Sequence, residues 1–343
     1  MLKKVVLLTV LLSIVGCSSD DNNSYTPVYK PDPELHSQAI AVFKPISSAD
    51  RPELDPAKVE LGKYLYFDTL LSQDGNISCN SCHNLNTYGV DNLAFSPGDD
   101  GTLGGRNSPT VFHAALHNMQ FWDGRAKDVE EQAGGPILNP VEHNMRDEQQ
   151  VEERLREVEW YRTRFAAVYG TDSEPITFDH VTNAIGAFER TLLPSSRFDT
   201  YLEGDLYALT EQEQQGLQSF MAVGCMQCHN GIALGGNRLQ KFGFSVDYWT
   251  ETKSTSIDNG LFDLTGKESD KYVFKVPGLR NITHTAPYFH DGSVRDLKEA
   301  VRVMAKLQHN KELTSQELDD ITVFLASLSS DIPDAVKKSP FNP

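Results

Sequence analysis

Cys79-Asn80-Ser81-Cys82-His83 and Cys225-Met226-Gln227-Cys228-His229 are the two stretches that decide how this chain is read. Each is a C-x-x-C-H. Two thiols three positions apart reach the two vinyl groups on one porphyrin edge, and the adjacent histidine then presents its imidazole to the iron. Other uses of such cysteines fit less well. A thioredoxin-type dithiol sits in a βαβ pattern and needs no histidine after it. A four-cysteine zinc site would have to join pairs 146 residues apart. A disulfide within C-x-x-C closes a strained loop. The pattern therefore implies two covalently attached c-type haems, one on Cys79, Cys82 and His83, the other on Cys225, Cys228 and His229.

Helix signals surround these motifs. Thr210-Glu211-Gln212-Glu213 is a capping box, and Leu217, Phe220 and Met221 follow it on one face, leading into Gly224-Cys225. Thr314-Ser315-Gln316-Glu317 caps a second helix with the stripe Leu318, Ile321, Phe324, Leu325 and Leu328. Further helical periodicity runs through 149–168 and 177–193, and Gly/Pro-rich stretches fill 95–109 and 231–260. No alternating strand series is visible. The expected fold is mostly α: two cytochrome c-like haem domains with long loops. The first domain is expected over 35–200 and the second over 201–335, with 336–343 as a tail.

With 343 residues the chain has room for two cores. Its net charge of −17 argues against nucleic acid, whose phosphates need a basic face. The acidity either steers a basic protein partner or serves solubility alone. The fifth cysteine, Cys17, has a separate explanation. Lys3 and Lys4 precede an apolar run, Val5 to Val15, too short to span a bilayer, and Ile14-Val15-Gly16-Cys17 is similar to a bacterial lipobox. That similarity implies a signal peptide over 1–16, lipid on Cys17, a polar proline-containing tether over 17–34, and a place on the periplasmic or cell-surface side of a bacterial membrane.

Longer motifs then resemble the bacterial dihaem cytochrome c peroxidases. They include Leu61-Gly62-Lys63-Tyr64-Leu65-Tyr66-Phe67-Asp68, Arg106-Asn107-Ser108-Pro109-Thr110 and Phe121-Trp122-Asp123-Gly124-Arg125. Asn139-Pro140-Val141-Glu142, Val276-Pro277-Gly278-Leu279-Arg280-Asn281 and Thr285-Ala286-Pro287-Tyr288-Phe289-His290-Asp291-Gly292 continue the match. The resemblance implies a low-potential peroxidatic haem on His83 and a high-potential haem on His229 that receives electrons. Met304 matches the methionine ligand of the second iron, a thioether being suited to a high potential. Glu142 matches the distal glutamate, a general base and acid for O–O cleavage, and Gln132 the distal glutamine. Trp122 alone reads as a buried aromatic anchor; the resemblance makes it an electron relay between the haems. Asn107, Thr285 and Pro287 match one calcium site. The implied reaction reduces hydrogen peroxide with electrons from a small cytochrome or copper protein, and the implied assembly is a homodimer.

Two alternatives stay open. One branch of the family oxidises tryptophan residues of a partner protein; it carries tyrosine where Met304 stands, which favours peroxide. A dihaem electron carrier without catalysis would want both irons six-coordinate. The chain also departs from the pattern. Many members carry a distal histidine in the loop after the first haem motif, and the matching residue here is Asp99. Either the first iron lacks a protein distal ligand at rest, or His113, His117 or His143 replaces it.

Overall fold

The computed structural model describes residues 29–341. The leader 1–16, Cys17 and residues 18–28 of the tether lie outside them. Among the described residues nine helices of ten residues or more make up the frame: α1 Pro33–Val42, α2 Pro56–Phe67, α3 Val129–Leu138, α4 Glu148–Glu157, α5 Glu159–Tyr169, α6 Phe178–Glu189, α7 Glu211–Val223, α8 Leu297–His309 and α9 Ser315–Ala326. The described residues add one two-stranded ribbon, β1 Leu239–Lys241 antiparallel to β2 Val273–Lys275. The fold is mostly α, as the helix signals require. No helix among the described residues is long and apolar enough to cross a membrane.

Local chemistry sets the helix starts. Asp32 accepts from the amides of Glu34 and Leu35, with Pro33 in the first turn, so α1 takes in two residues read as tether. Both expected capping boxes form, Thr210 with Glu213 on α7 and Thr314 with Glu317 on α9. Helix α7 stops at Gly224, whose φ of 103° only glycine adopts freely, and Cys225 follows directly. Residues 149–168 do not form one helix. Val158 is extended, and the Arg162 guanidinium caps the carbonyl of Arg156. The turn lets α5 bring Trp160 against Tyr64 at 4.2 Å and Tyr161 onto Asp68. Distant contacts override the local periodicity here.

Two cores result. Leu61, Leu65, Ile137, Leu155, Ile185 and Phe188 belong to the first, built on α2 to α6. Phe43, Phe198, Leu217, Phe220, Ile321 and Phe324 belong to the second, built on α1, α7 and α9. The cores do not follow one cut in the chain. Helix α1 opens the 35–200 stretch, yet its Leu35 and Ala39 lie in the second core, and Ile332 and Val336 near the C-terminus pack on the first. Arg280 and Asp199, 1% and 3% exposed, pair at 2.8 Å in the interior; burial opposes ionisation of Asp199, and the guanidinium holds it below the usual carboxylate range.

The cores share one device. In the first, Gly62 of α2 lies so close to α6 that a Cβ there would sit 1.8 Å from the Ala184 carbonyl oxygen and 3.1 Å from Phe188 Cβ. In the second, Gly216 of α7 meets α9, where a Cβ would sit 1.9 Å from the Asp320 oxygen and 2.7 Å from Phe324 Cβ. Each helix that leads into a C-x-x-C-H thus crosses a later helix backbone to backbone, with the contact residues four apart in both. Gly216→Ala should therefore cost at least about 1–3 kcal/mol of stability by overpacking. Chemical denaturation of the variant beside the parent checks this.

Candidate functional site

Each crossing leaves a void beside its cysteine pair. The first cavity, about 560 Å³, is lined by Cys79, Cys82 and His83 together with Gln132, Asn139 and Glu142. The second, about 530 Å³, is lined by Cys225, Cys228, His229, Phe274, His290 and Met304. Both fall in the size range of cofactor sites, roughly 300–1,000 Å³. The four thiols are unbridged, and burial pushes Cys82 up to about 11 and Cys225 up to about 12, away from the reactive-thiolate range. Dithiol redox chemistry does not fit such cysteines, whereas thioether attachment does.

The histidines are set for iron. His83 donates its Nδ1–H to the Pro109 carbonyl at 2.9 Å, and His229 donates its own to Leu234 at 3.2 Å. A carbonyl only accepts, so Nδ1 carries the proton and Nε2 keeps a lone pair for a metal. Burial lowers His229 to about 4, which keeps it in the neutral ligand form. His290 stacks on Phe274 at 4.2 Å, and its buried Nε2 has no partner in the protein. An unpaired buried ring nitrogen facing such a void fits a wall completed by a cofactor. Met304 projects from α8 into the cavity of His229.

In the first cavity Glu142 is half-buried, and Asn139 Nδ2 donates to its Oε1 at 2.9 Å, leaving Oε2 for other use. Burial raises its pKa, opposed by the Arg125 charge and the Asn139 hydrogen bond. Arg125 itself lies over the Phe121 ring at 3.4 Å and pairs with Asp123 at 2.8 Å. Gln132, on α3, lines the same space. Trp122 lines both cavities, and its Nε1 donates to the Asn107 carbonyl at 2.8 Å. Asn107, Thr285 and Pro287 all line the second cavity. Asn107 Nδ2 is spent on the Leu93 carbonyl at 2.8 Å, which turns Oδ1 elsewhere.

Asp99 does not line the first cavity. Its carboxylate accepts from the backbone amides of Asp74 and Asn76, at 2.5 and 3.0 Å, and its own amide donates to the Glu142 carbonyl at 2.8 Å. Burial works against ionisation, but these amides hold Asp99 below its ordinary pKa. The histidines weighed against it differ. His113 donates Nε2–H to Pro194, and His117 Nδ1 accepts from Lys275. His143 gives Nδ1–H to Leu71 at 3.0 Å, which leaves Nε2 with a lone pair beside Glu142, and His113 likewise keeps an unpaired Nδ1.

Two lining residues were missed in the sequence. Glu189 ends α6 in the wall of the first cavity, where burial pushes its carboxyl up to about 8. Lys275 lines both cavities. Both looked like ordinary charged residues, and no local pattern marks a charge for burial.

The sequence profile of the di-haem cytochrome c peroxidases matches residues 56–207. The cytochrome c551 peroxidase of Nitrosomonas europaea is 46% identical over 294 residues, 85% of either chain. That of Pseudomonas aeruginosa is 44% identical over 313 residues, 90% of either chain. Among solved structures, a MauG-like protein associated with microbial copper homeostasis superposes with a TM-score of 0.74 at 29% identity, covering 87% of this chain and 97% of the other. Replacing Cys79 and Cys82 together by serine should lower covalent haem from two per chain to one, read as the pyridine haemochrome of denatured protein. Retention of two would place a haem elsewhere.

Proposed function

The chain belongs to the di-haem cytochrome c peroxidase family and is an oxidoreductase acting on peroxide with two haem c groups; from that premise we propose that it reduces hydrogen peroxide in the pocket of His83, with electrons received one at a time through the pocket of His229. The balance is H2O2 + 2 H⁺ + 2 e⁻ → 2 H2O. The haems supply the redox chemistry. The chain supplies access, protons and wiring.

Glu142 carries this reading. It is a half-buried carboxyl in the wall of the His83 cavity, with Oε1 held by Asn139. Oε2 takes a proton from one peroxide oxygen and returns it to the other, and a raised pKa suits a base that must also act as an acid. Gln132 orients the peroxide or a water by hydrogen bonds. Trp122 passes electrons through the wall that both cavities share. Met304 and His229, which line the same cavity, would hold the second haem iron, and a thioether in place of a tyrosine favours peroxide over protein oxidation. A carboxyl poised in the first cavity has no use in a pure carrier.

The first iron is open at rest in this reading. Asp99 stands where a distal histidine is common, and its carboxylate is spent on the amides of Asp74 and Asn76. His143, next in the chain to Glu142, is the first rival and His113, with Nδ1 unpaired, the second, because His117 is engaged by Lys275. Calcium binds to Asn107 Oδ1 and the carbonyls of Thr285 and Pro287, neutral hard oxygens of the kind it prefers. The donor is a small cytochrome or copper protein docking near the second pocket. Lipid on Cys17 anchors the chain on the periplasmic or cell-surface side, a proposal supported by the Ile14–Cys17 pattern.

Steady-state peroxide reduction with a reduced small cytochrome tests the reading. Glu142→Gln should lower kcat/KM by about 10²–10⁴ while both haems remain attached; undiminished turnover would remove Glu142 from the chemistry. The base must be ionised, so activity falls as pH drops through its pKa, and burial places that acid limb above the usual carboxylate range. Arg125 lowers the pKa, so Arg125→Gln should move the limb to higher pH. A limb that stays in place would separate Arg125 from Glu142.

A further inference from the structure

The wall between the two cavities contains Asn107, Trp122 and Lys275 and none of the four haem-motif cysteines. A c-type haem is attached through its vinyl edge, so its propionate edge points away from its cysteines. The shared wall is where buried carboxylates from the cofactors would need partners. Buried charge persists only when paired and hydrogen-bonded.

Most lining cations are already committed. Arg106 pairs with Asp123 at 2.7 Å and Asp258 at 2.6 Å, Arg125 with Asp123 at 2.8 Å, and Arg280 with Asp199 at 2.8 Å. Arg238, on the second cavity, donates to the Gln227 carbonyl. Lys275 differs from all of these. It is 5% exposed, it lines both cavities, and among the described residues no carboxylate pairs with it. Its Nζ partner is His117 Nδ1 at 3.2 Å, an imidazole that burial keeps neutral. One of three N–H donors is used. The residue is also held rigidly: β2 pairs Lys275 with Leu239, and its amide donates to the Trp122 carbonyl at 2.6 Å.

We propose that Lys275 is a haem-propionate anchor, its ammonium binding a propionate carboxylate in the wall shared by the two pockets and thereby raising the midpoint potential of that haem. Burial lowers this lysine to about 8 in the protein alone, as expected of an ammonium whose counter-charge belongs to the cofactor. His117 orients the Nζ and is itself fixed, with its ring packed on Gly236 and Gly278. The anchor lies one residue contact from Trp122, so it adjusts the driving force at the point where the two pockets meet. The inference stands on the two haem sites and does not depend on which substrate is reduced.

The test uses the holoprotein with both haems, comparing Lys275→Met, Lys275→Gln and Lys275→Arg by spectroelectrochemical titration and by resonance Raman of the propionate bending bands. Loss of a buried positive charge favours the ferric state. The Met and Gln variants should therefore show a lower midpoint potential at one haem with a shifted propionate band, and Arg should keep both near the parent. The haem that shifts identifies which propionate is held. Full haem content in the Met or Gln variant with unchanged potentials and bands would overturn the proposal. Should neither variant take up two haems, heavy-water exchange of the parent decides: a propionate band that moves supports an N–H donor on the carboxylate, and bands that do not move overturn the assignment.

Discussion

Both halves of the molecule depend on a backbone-to-backbone helix crossing that only glycine permits. Gly62 meets the Ala184 carbonyl, and Gly216 meets the Asp320 carbonyl. The crossing brings a C-x-x-C-H to the edge of a void that no side chain fills, since Cys79 and Cys225 each follow a helix whose other face is already packed. A protein interior does not tolerate voids of this size without cost. The haems are therefore part of the core, and their attachment closes a structure that the chain alone leaves open.

From that constraint the functional geometry follows. Two voids placed side by side must share a wall, and the wall holds an aromatic ring, Trp122, fixed by its hydrogen bond to Asn107. The lining of the first void includes the carboxyl of Glu142, tied by Asn139, and the loop through Asp99 is fastened to the amides of Asp74 and Asn76. The second void is lined by Met304 as well as His229 and is otherwise largely apolar and aromatic. In the proposed reading the first pocket serves proton transfer and the second would hold its iron through His229 and Met304. That asymmetry between two otherwise similar halves is what the proposed division of labour rests on.

The parts legible in the sequence were those whose signals are local. The C-x-x-C-H pairs and the two Thr/Glu capping boxes each lie within a few residues, and the structure builds both capping boxes as read. Long-range contacts were not legible. The break at Val158 depends on Tyr64 and Asp68, almost a hundred positions earlier in the chain. The allegiance of α1 to the second core depends on Phe198 and Tyr201. The absence of histidine at Asp99 was visible, but what Asp99 does instead rests on two backbone amides that carry no side-chain signature. Buried Glu189 and Lys275 were invisible because nothing local distinguishes a charge that will face a cofactor from one that will face water.

The state of the first iron before any electron arrives decides whether peroxide can bind at rest. Electron paramagnetic resonance of the fully oxidised holoprotein reads it. A high-spin ferric signal beside one low-spin signal, with the high-spin signal lost in Asp99→His, is the predicted result and describes a peroxide pocket open at rest. Two low-spin signals in the parent protein would contradict it, and would show that a residue such as His143 already occupies the place where peroxide must bind.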